Sequence, residues 1–113
     1  MAFDPSAAAQ PGSGIFGLDA RPEDARVVVL PVPFAATTSY RCGAERGPEA
    51  ILAASRQIDL YDRETGRPYE AGIAMLPIPA HVRGWHDEAR PDAERVLAVG
   101  GVIDGDPALA ESL

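Results

Sequence analysis

Thr37, Thr38, Ser39, Tyr40 and Arg41 set four hydroxyls and a guanidinium side by side. Hydroxyls donate and accept, and a guanidinium presents a fork of donors, so this run is suited to line the mouth of a pocket. The same groups can instead hydrogen-bond the loop to itself and cap nearby backbone, and the residues alone leave both readings open. Position gives the first its interest. The run follows the apolar segment Val27-Val28-Val29-Leu30, and in an open parallel sheet ligands gather beyond the carboxyl ends of the strands.

Other chemistry-bearing residues are sparse. Cys42 cannot form an internal disulfide because it is the chain's one cysteine. Arg41 beside it would favour a reactive thiolate, but no His lies close in sequence to act as its base, and a small residue tolerated in a loop is the plainer reading. His81, His86, Asp87 and Glu88 are ligand types that metals use. The separation of the two imidazoles is not the one-turn spacing that would put them on one helix face, so this group reads as a solvated loop. Gly43 and Gly47 precede a helix start, yet a phosphate-binding P-loop ends in Gly-Lys-Ser or Gly-Lys-Thr and the chain contains no lysine.

The elements that must position these residues follow from apolar runs and breakers. Arg26 to Leu30 is continuously apolar after its first residue, the pattern of a strand covered on both faces, and Pro31 and Pro33 end its ladder. Phe34 to Arg46 is too polar and glycine-punctuated for either regular element, and loops of this length are often functional. Gly47-Pro48-Glu49 opens a helix, with Pro at its first position and an acid at the positive end of its dipole. Ile51, Leu52, Ala54 and Ile58 form its expected buried stripe, and Asp59, Asp62, Glu64 and Gly66 mark its end and a turn. Gly72-Ile73-Ala74-Met75-Leu76 is the next strand, stopped by Pro77 and Pro79. Strand, helix and strand make a βαβ unit with parallel strands. Beyond it, His81 to Pro91 reads as a polar connection containing Trp85, Ala93 to Val99 as a short helix broken by Gly100-Gly101, and Asp106-Pro107 as a capped helix start. That last helix stops so soon that a truncated reading frame is expected. Residues 1–25, rich in Pro and Gly, read as an extended arm with no element of its own, either packed on a neighbour or loose; residues 26–113 read as the amino-terminal part of an incomplete α/β domain.

The chain has 113 residues, 46% of them hydrophobic, enough for one core. Its ten basic residues are all Arg and are scattered among 17 acids, for a net charge of -7. A nucleic-acid site needs a concentrated basic face, so no nucleic-acid partner is expected, and a small cationic substrate suits the field better. No apolar run nears the ~20 residues of a membrane-spanning helix, and no cationic segment leads into an apolar one at the amino terminus. No membrane partner is expected, and a reducing cytoplasm is the expected location.

Pro31-Val32-Pro33-Phe34, Thr38-Ser39-Tyr40 and Gly47-Pro48-Glu49-Ala50-Ile51, flanked by Phe3-Asp4-Pro5-Ser6, Phe16-Gly17-Leu18 and Gln57-Ile58-Asp59-Leu60-Tyr61-Asp62, together resemble the amino end of the ureohydrolase superfamily, the arginase and agmatinase group, on its agmatinase-like side. Ala35-Ala36 departs from the acidic or amide residue that the family often carries there.

The resemblance implies an α/β fold class, here the beginning of a three-layer α-β-α parallel-sheet, arginase-like fold cut short. It also implies hydrolysis of a guanidino C–N bond with release of urea, two manganese ions as cofactor, a small guanidino substrate with agmatine preferred, a role in polyamine metabolism, and a homo-oligomer. In the family the metals are held by a Gly-Gly-Asp-His block, an Asp-Ala-His-x-Asp block and a Ser-x-Asp-x-Asp block. Gly100-Gly101-Val102-Ile103-Asp104 begins like the first but lacks the adjacent Asp-His. The expectation is therefore that no catalytic, cofactor-binding or metal residue lies in this chain, that it binds no manganese alone, and that it is the amino-terminal fragment of an agmatinase-like enzyme. The alternative is a non-catalytic interaction module that associates with a full-length ureohydrolase.

Overall fold

The computed structural model describes residues 3–101 and 104–111. They form two compact units, one made of the chain up to Pro31 together with Pro48–Ile78, the other of Val32–Gly47 together with the chain from Pro79 onward.

The first unit is built on two parallel strands, β1 (Val27–Val29) and β2 (Ile73–Met75), with Val27 opposite Ile73, Val28 opposite Ala74 and Val29 opposite Met75. Both lie inside the runs expected, and each stops before the prolines that cannot donate to a ladder. Gly72 leads into β2 at φ 80°, and a Cβ there would lie 3.3 Å from Ala25 Cα. A side chain there would strain the left-handed backbone and crowd Ala25. Helix α1 (Gly47–Ser55) starts at the expected Gly-Pro-Glu.

Three expectations for this unit need correcting. β1 is not covered on both faces: Val27 is 49% exposed and Val28 44%, because the described residues pair it with one strand and supply little to lay over it. The predicted stripe on α1 is not buried either. Ile51 and Ile58 are exposed, Ile58 lies beyond the last helical residue, and the one buried residue of the helix is Ser55.

The third concerns residues 1–25, where no element was expected. Ile15–Gly17 forms a turn of 3-10 helix against β2, with Ile15 and Leu18 buried beside the equally buried Ala74. Ser55 fastens the turn: its Oγ accepts from Phe16 N–H at 2.9 Å and donates to the Leu52 carbonyl at 2.8 Å. The Arg56 Nε donates to the Ser13 carbonyl at 3.0 Å. The turn expected after α1 is present. Asp62 Oδ1 accepts from the Glu64 and Thr65 amides, both at 2.8 Å.

In the second unit the largest element is α2 (Ala80–Ala98), one helix of 19 residues. It replaces the polar connection expected over His81 to Pro91, and the helix expected from Ala93 is only its last turns. Pro91 sits inside it, where proline removes one backbone bond. The helix continues because Val82, His86, Ala89, Ala93 and Val96 recur at the spacing of one helical face and are all at least half-buried. Gly100-Gly101 ends the helix as expected. Gly100 takes a left-handed φ of 66°, and the Gly101 and Gly100 amides close back on the carbonyls of Val96 at 2.9 Å and Leu97 at 3.0 Å, a Schellman cap. Helix α3 (Pro107–Glu111) packs on α2 through this unit. Asp106 caps α3 as expected, its Oδ1 accepting from Leu109 N–H at 3.1 Å.

Candidate functional site

The loop that carries Thr37 to Arg41 belongs to the second unit, and its backbone is held by side chains of α2. The Ala35 amide donates to Nδ1 of His86 at 3.0 Å. The Nη1 of Arg90 donates to the carbonyls of Ala36 at 3.0 Å and Thr38 at 2.8 Å, while its Nε is paired with the Glu94 carboxylate at 2.8 Å. Pro33 and Ala36 are buried, and the Phe34 ring meets the His86 imidazole edge-on at 6.0 Å between centroids.

The loop's own side chains do not tie it together. Thr37, Ser39, Tyr40 and Arg41 are exposed and Thr38 is half-buried, and their hydroxyls form no hydrogen bond with other described residues. Arg41 lies in the left-handed region at φ 49°, a conformation unfavourable for a residue with a Cβ, and its guanidinium stands 5.4 Å from the centre of the Tyr40 ring, within cation–π range. Cys42 is free and exposed. The segment expected to be structureless to Arg46 closes with a 3-10 turn over Ala44–Arg46, which presents Glu45 to α2. Its Oε2 lies 3.8 Å from His86 Nε2 and accepts from Gly43 N–H at 3.1 Å. The Glu45 carboxyl is held below its ordinary range, first by its own backbone N–H, then by His86, the Gly43 amide and Arg46, against the opposing effect of burial.

His86 is thus a buried helical residue, 6% exposed, and not part of a solvated loop. His81 makes an edge-on contact with Trp85 at 5.0 Å, and Asp87 and Glu88 are exposed. Among the described residues no three His, Cys, Asp or Glu side chains gather where they could hold an ion, so the residues present do not fit a manganese pair. Val102 and Ile103, within the Gly100 to Asp104 stretch that lacks the adjacent Asp-His of a metal-binding block, lie outside the described residues. Two clefts open in the first unit, one of about 480 Å³ lined in part by Phe3, Tyr61, Tyr69, Asp59 and Glu70, the other along the arm and Ala53 to Asp59. Neither is lined by the Thr37 to Arg41 run. Among the described residues no helix is long and apolar enough to cross a membrane.

The family model of the arginase family matches residues 25–98. The chain belongs to the arginase family. The match takes in both strands, α1, the hydroxyl loop and all of α2. Two N(1)-aminopropylagmatine ureohydrolases, from two strains of Thermus thermophilus, are 46% and 53% identical to the chain over 93 residues, which is 76% of this chain and 31% of each relative. A third, from Synechocystis sp., is 63% identical over 43 residues, covering 38% of this chain and 14% of its own length. The chain therefore spans less than a third of the length of these relatives. No solved structure matches it.

His86, Arg90 and Glu45 were not among the site residues expected from the sequence. A signal for the first two was present. Counting His86 as apolar completes the helical period from Val82 to Val96 and puts Arg90 one turn beyond His86 on the same side.

Proposed function

We propose that this chain is the amino-terminal portion of an agmatinase-like ureohydrolase that, as a complete protein, hydrolyses an agmatine-type guanidine. Water adds to the guanidino carbon, the C–N bond to the substituted nitrogen breaks, and urea and an amine leave. The observation that carries this reading is the family match over residues 25–98, supported by two relatives, each aligned over 76% of the chain, whose names specify N(1)-aminopropylagmatine. Those names favour the N(1)-aminopropyl derivative over free agmatine as substrate. The complete protein is proposed to be a cytoplasmic homo-oligomer using a manganese pair. Since the described residues hold no ligand set for that pair, no catalytic step is assigned to them. Their proposed contribution is structural: the β1–α1–β2 unit begins the parallel sheet of a three-layer α-β-α fold, and the loop from Thr37 to Arg41, held by α2, borders the substrate. The non-catalytic module finds no support in the family comparisons.

The test is urea release by the full product of the reading frame that carries this sequence, assayed with manganese on N(1)-aminopropylagmatine, agmatine, arginine, guanidinobutyrate and guanidine. Highest kcat/KM on N(1)-aminopropylagmatine is expected. Preference for agmatine would move the substrate while keeping the reaction, and no urea from any of them would overturn the proposal.

A further inference from the structure

The hydrogen bond between the Ala35 amide and His86 has a chemical condition attached. A backbone N–H can only donate, so Nδ1 must be the unprotonated nitrogen of the ring. The ring proton of the neutral imidazole then sits on Nε2, the nitrogen that faces Glu45 Oε2 at 3.8 Å. A second proton would go to Nδ1 and set two donors against each other, Nδ1–H and the Ala35 N–H, inside a space where His86 is 6% exposed and water has little access. That bond cannot survive, whereas the opposite side of the ring gains a full charge beside the Glu45 carboxylate. The two faces of the imidazole thus prefer opposite protonation states.

We propose that His86 is a pH-responsive latch: in its neutral form it holds Phe34 and Ala35 onto α2, and on protonation it releases them and turns its attraction to Glu45. The charged group that faces the ring is Glu45 from the 3-10 turn; on α2, Arg83 and Arg90 fall one turn before and one turn after His86 by helical spacing, and Phe34 and Ala35 bring no charge. Arg90 is engaged with the carbonyls of Ala36 and Thr38 and with Glu94, contacts that do not depend on the state of the imidazole. The released segment is therefore Phe34 and Ala35, which adjoin the Ala36 and Thr38 carbonyls that Arg90 keeps. His86 acts as a positioning residue for Phe34 and Ala35. The latch is a property of the second unit and stands whether or not the catalytic reading of the complete protein holds.

The test uses the 113-residue chain labelled with 15N, titrated from about pH 8 to about pH 5, the range in which imidazoles change charge. The His86 ring nitrogens and the exchange protection of the Ala35 amide, corrected for intrinsic rates, are followed together. Protection at Ala35 is expected to fall roughly tenfold, the loss of about one hydrogen bond, with the same midpoint as the ring. In His86→Asn the side-chain oxygen replaces Nδ1 as acceptor and cannot gain a proton, so Ala35 should stay protected across the range. Should that variant not fold, Glu45→Gln removes the attraction for the charged ring and should move both midpoints together to lower pH. Unchanged Ala35 protection while the ring titrates, a ring that stays neutral throughout, an equal loss of protection in His86→Asn, or midpoints that separate in Glu45→Gln would each overturn the latch.

Discussion

Strand β1 and the His86 face of α2 reverse the usual relation between polarity and burial. Val27 and Val28 in the strand, and Leu30 just after it, are apolar and exposed, whereas His86 is buried and Glu45 and Arg90 are largely covered. The strand's side chains have no directional demands; their burial depends on how much surface a neighbouring element supplies, and the described residues give β1 one partner strand. The polar group is covered because each member finds a matched partner: an amide for Nδ1, two carbonyls and a carboxylate for the guanidinium, an amide for Glu45. Apolar content sets a demand for cover, but local burial follows the partners that are present.

Arg90→Met should give the largest loss in stability, about 2–3 kcal/mol, since it removes charged hydrogen bonds to two carbonyls. Urea denaturation with an unchanged m-value would measure it, and a loss under about 0.5 kcal/mol would break the comparison at its polar end. His86→Leu should follow at about 1–2 kcal/mol, the cost of leaving the Ala35 N–H without an acceptor; hydrogen exchange at Ala35 should rise in parallel. Ser55→Ala should cost about 1 kcal/mol by unfastening the Ile15–Gly17 turn from the end of α1, and a thermal melt followed by circular dichroism would register it.

A smaller effect is expected from acid. The carboxyls of Glu45 and Asp62 lie below their ordinary values of 4.5 and 3.8, Asp62 chiefly through the Thr65 and Glu64 amides. For a depressed carboxyl the unfolded chain takes up the proton first, so the stability each contributes is present above its ordinary value and is lost as pH falls through its lowered one. Denaturation midpoints measured across that window should fall, and Glu45→Gln should flatten part of the slope. Val28→Thr should be nearly neutral, within about 0.5 kcal/mol, because the site is already open to water. A much larger loss, accompanied by a change in sedimentation, would mean that β1 is covered in solution by another chain.

Much of the local structure was legible in the residues themselves. The ends of β1 and β2 follow from prolines without amide donors, the start of α1 from Gly-Pro-Glu, the stop of α2 from Gly100-Gly101, and the start of α3 from Asp106-Pro107. These are properties of a few consecutive residues, which is why sequence alone determines them, and the order of the blocks from Phe3 to Asp62 likewise carried the family. Contacts between segments distant in sequence were not legible. Nothing local shows that Ser55 is the buried residue of α1, since its partner is the amide of Phe16. In the polar stretch from His81 to Pro91, His86 and Arg90 are covered because they meet an amide and two carbonyls on a loop far upstream in the sequence. The hydroxyl loop was placed correctly after β1, yet what holds it comes from α2. Hydrogen-bond satisfaction for buried polar groups, and cover for apolar ones, depend on which segments meet, and only the tertiary structure decides that.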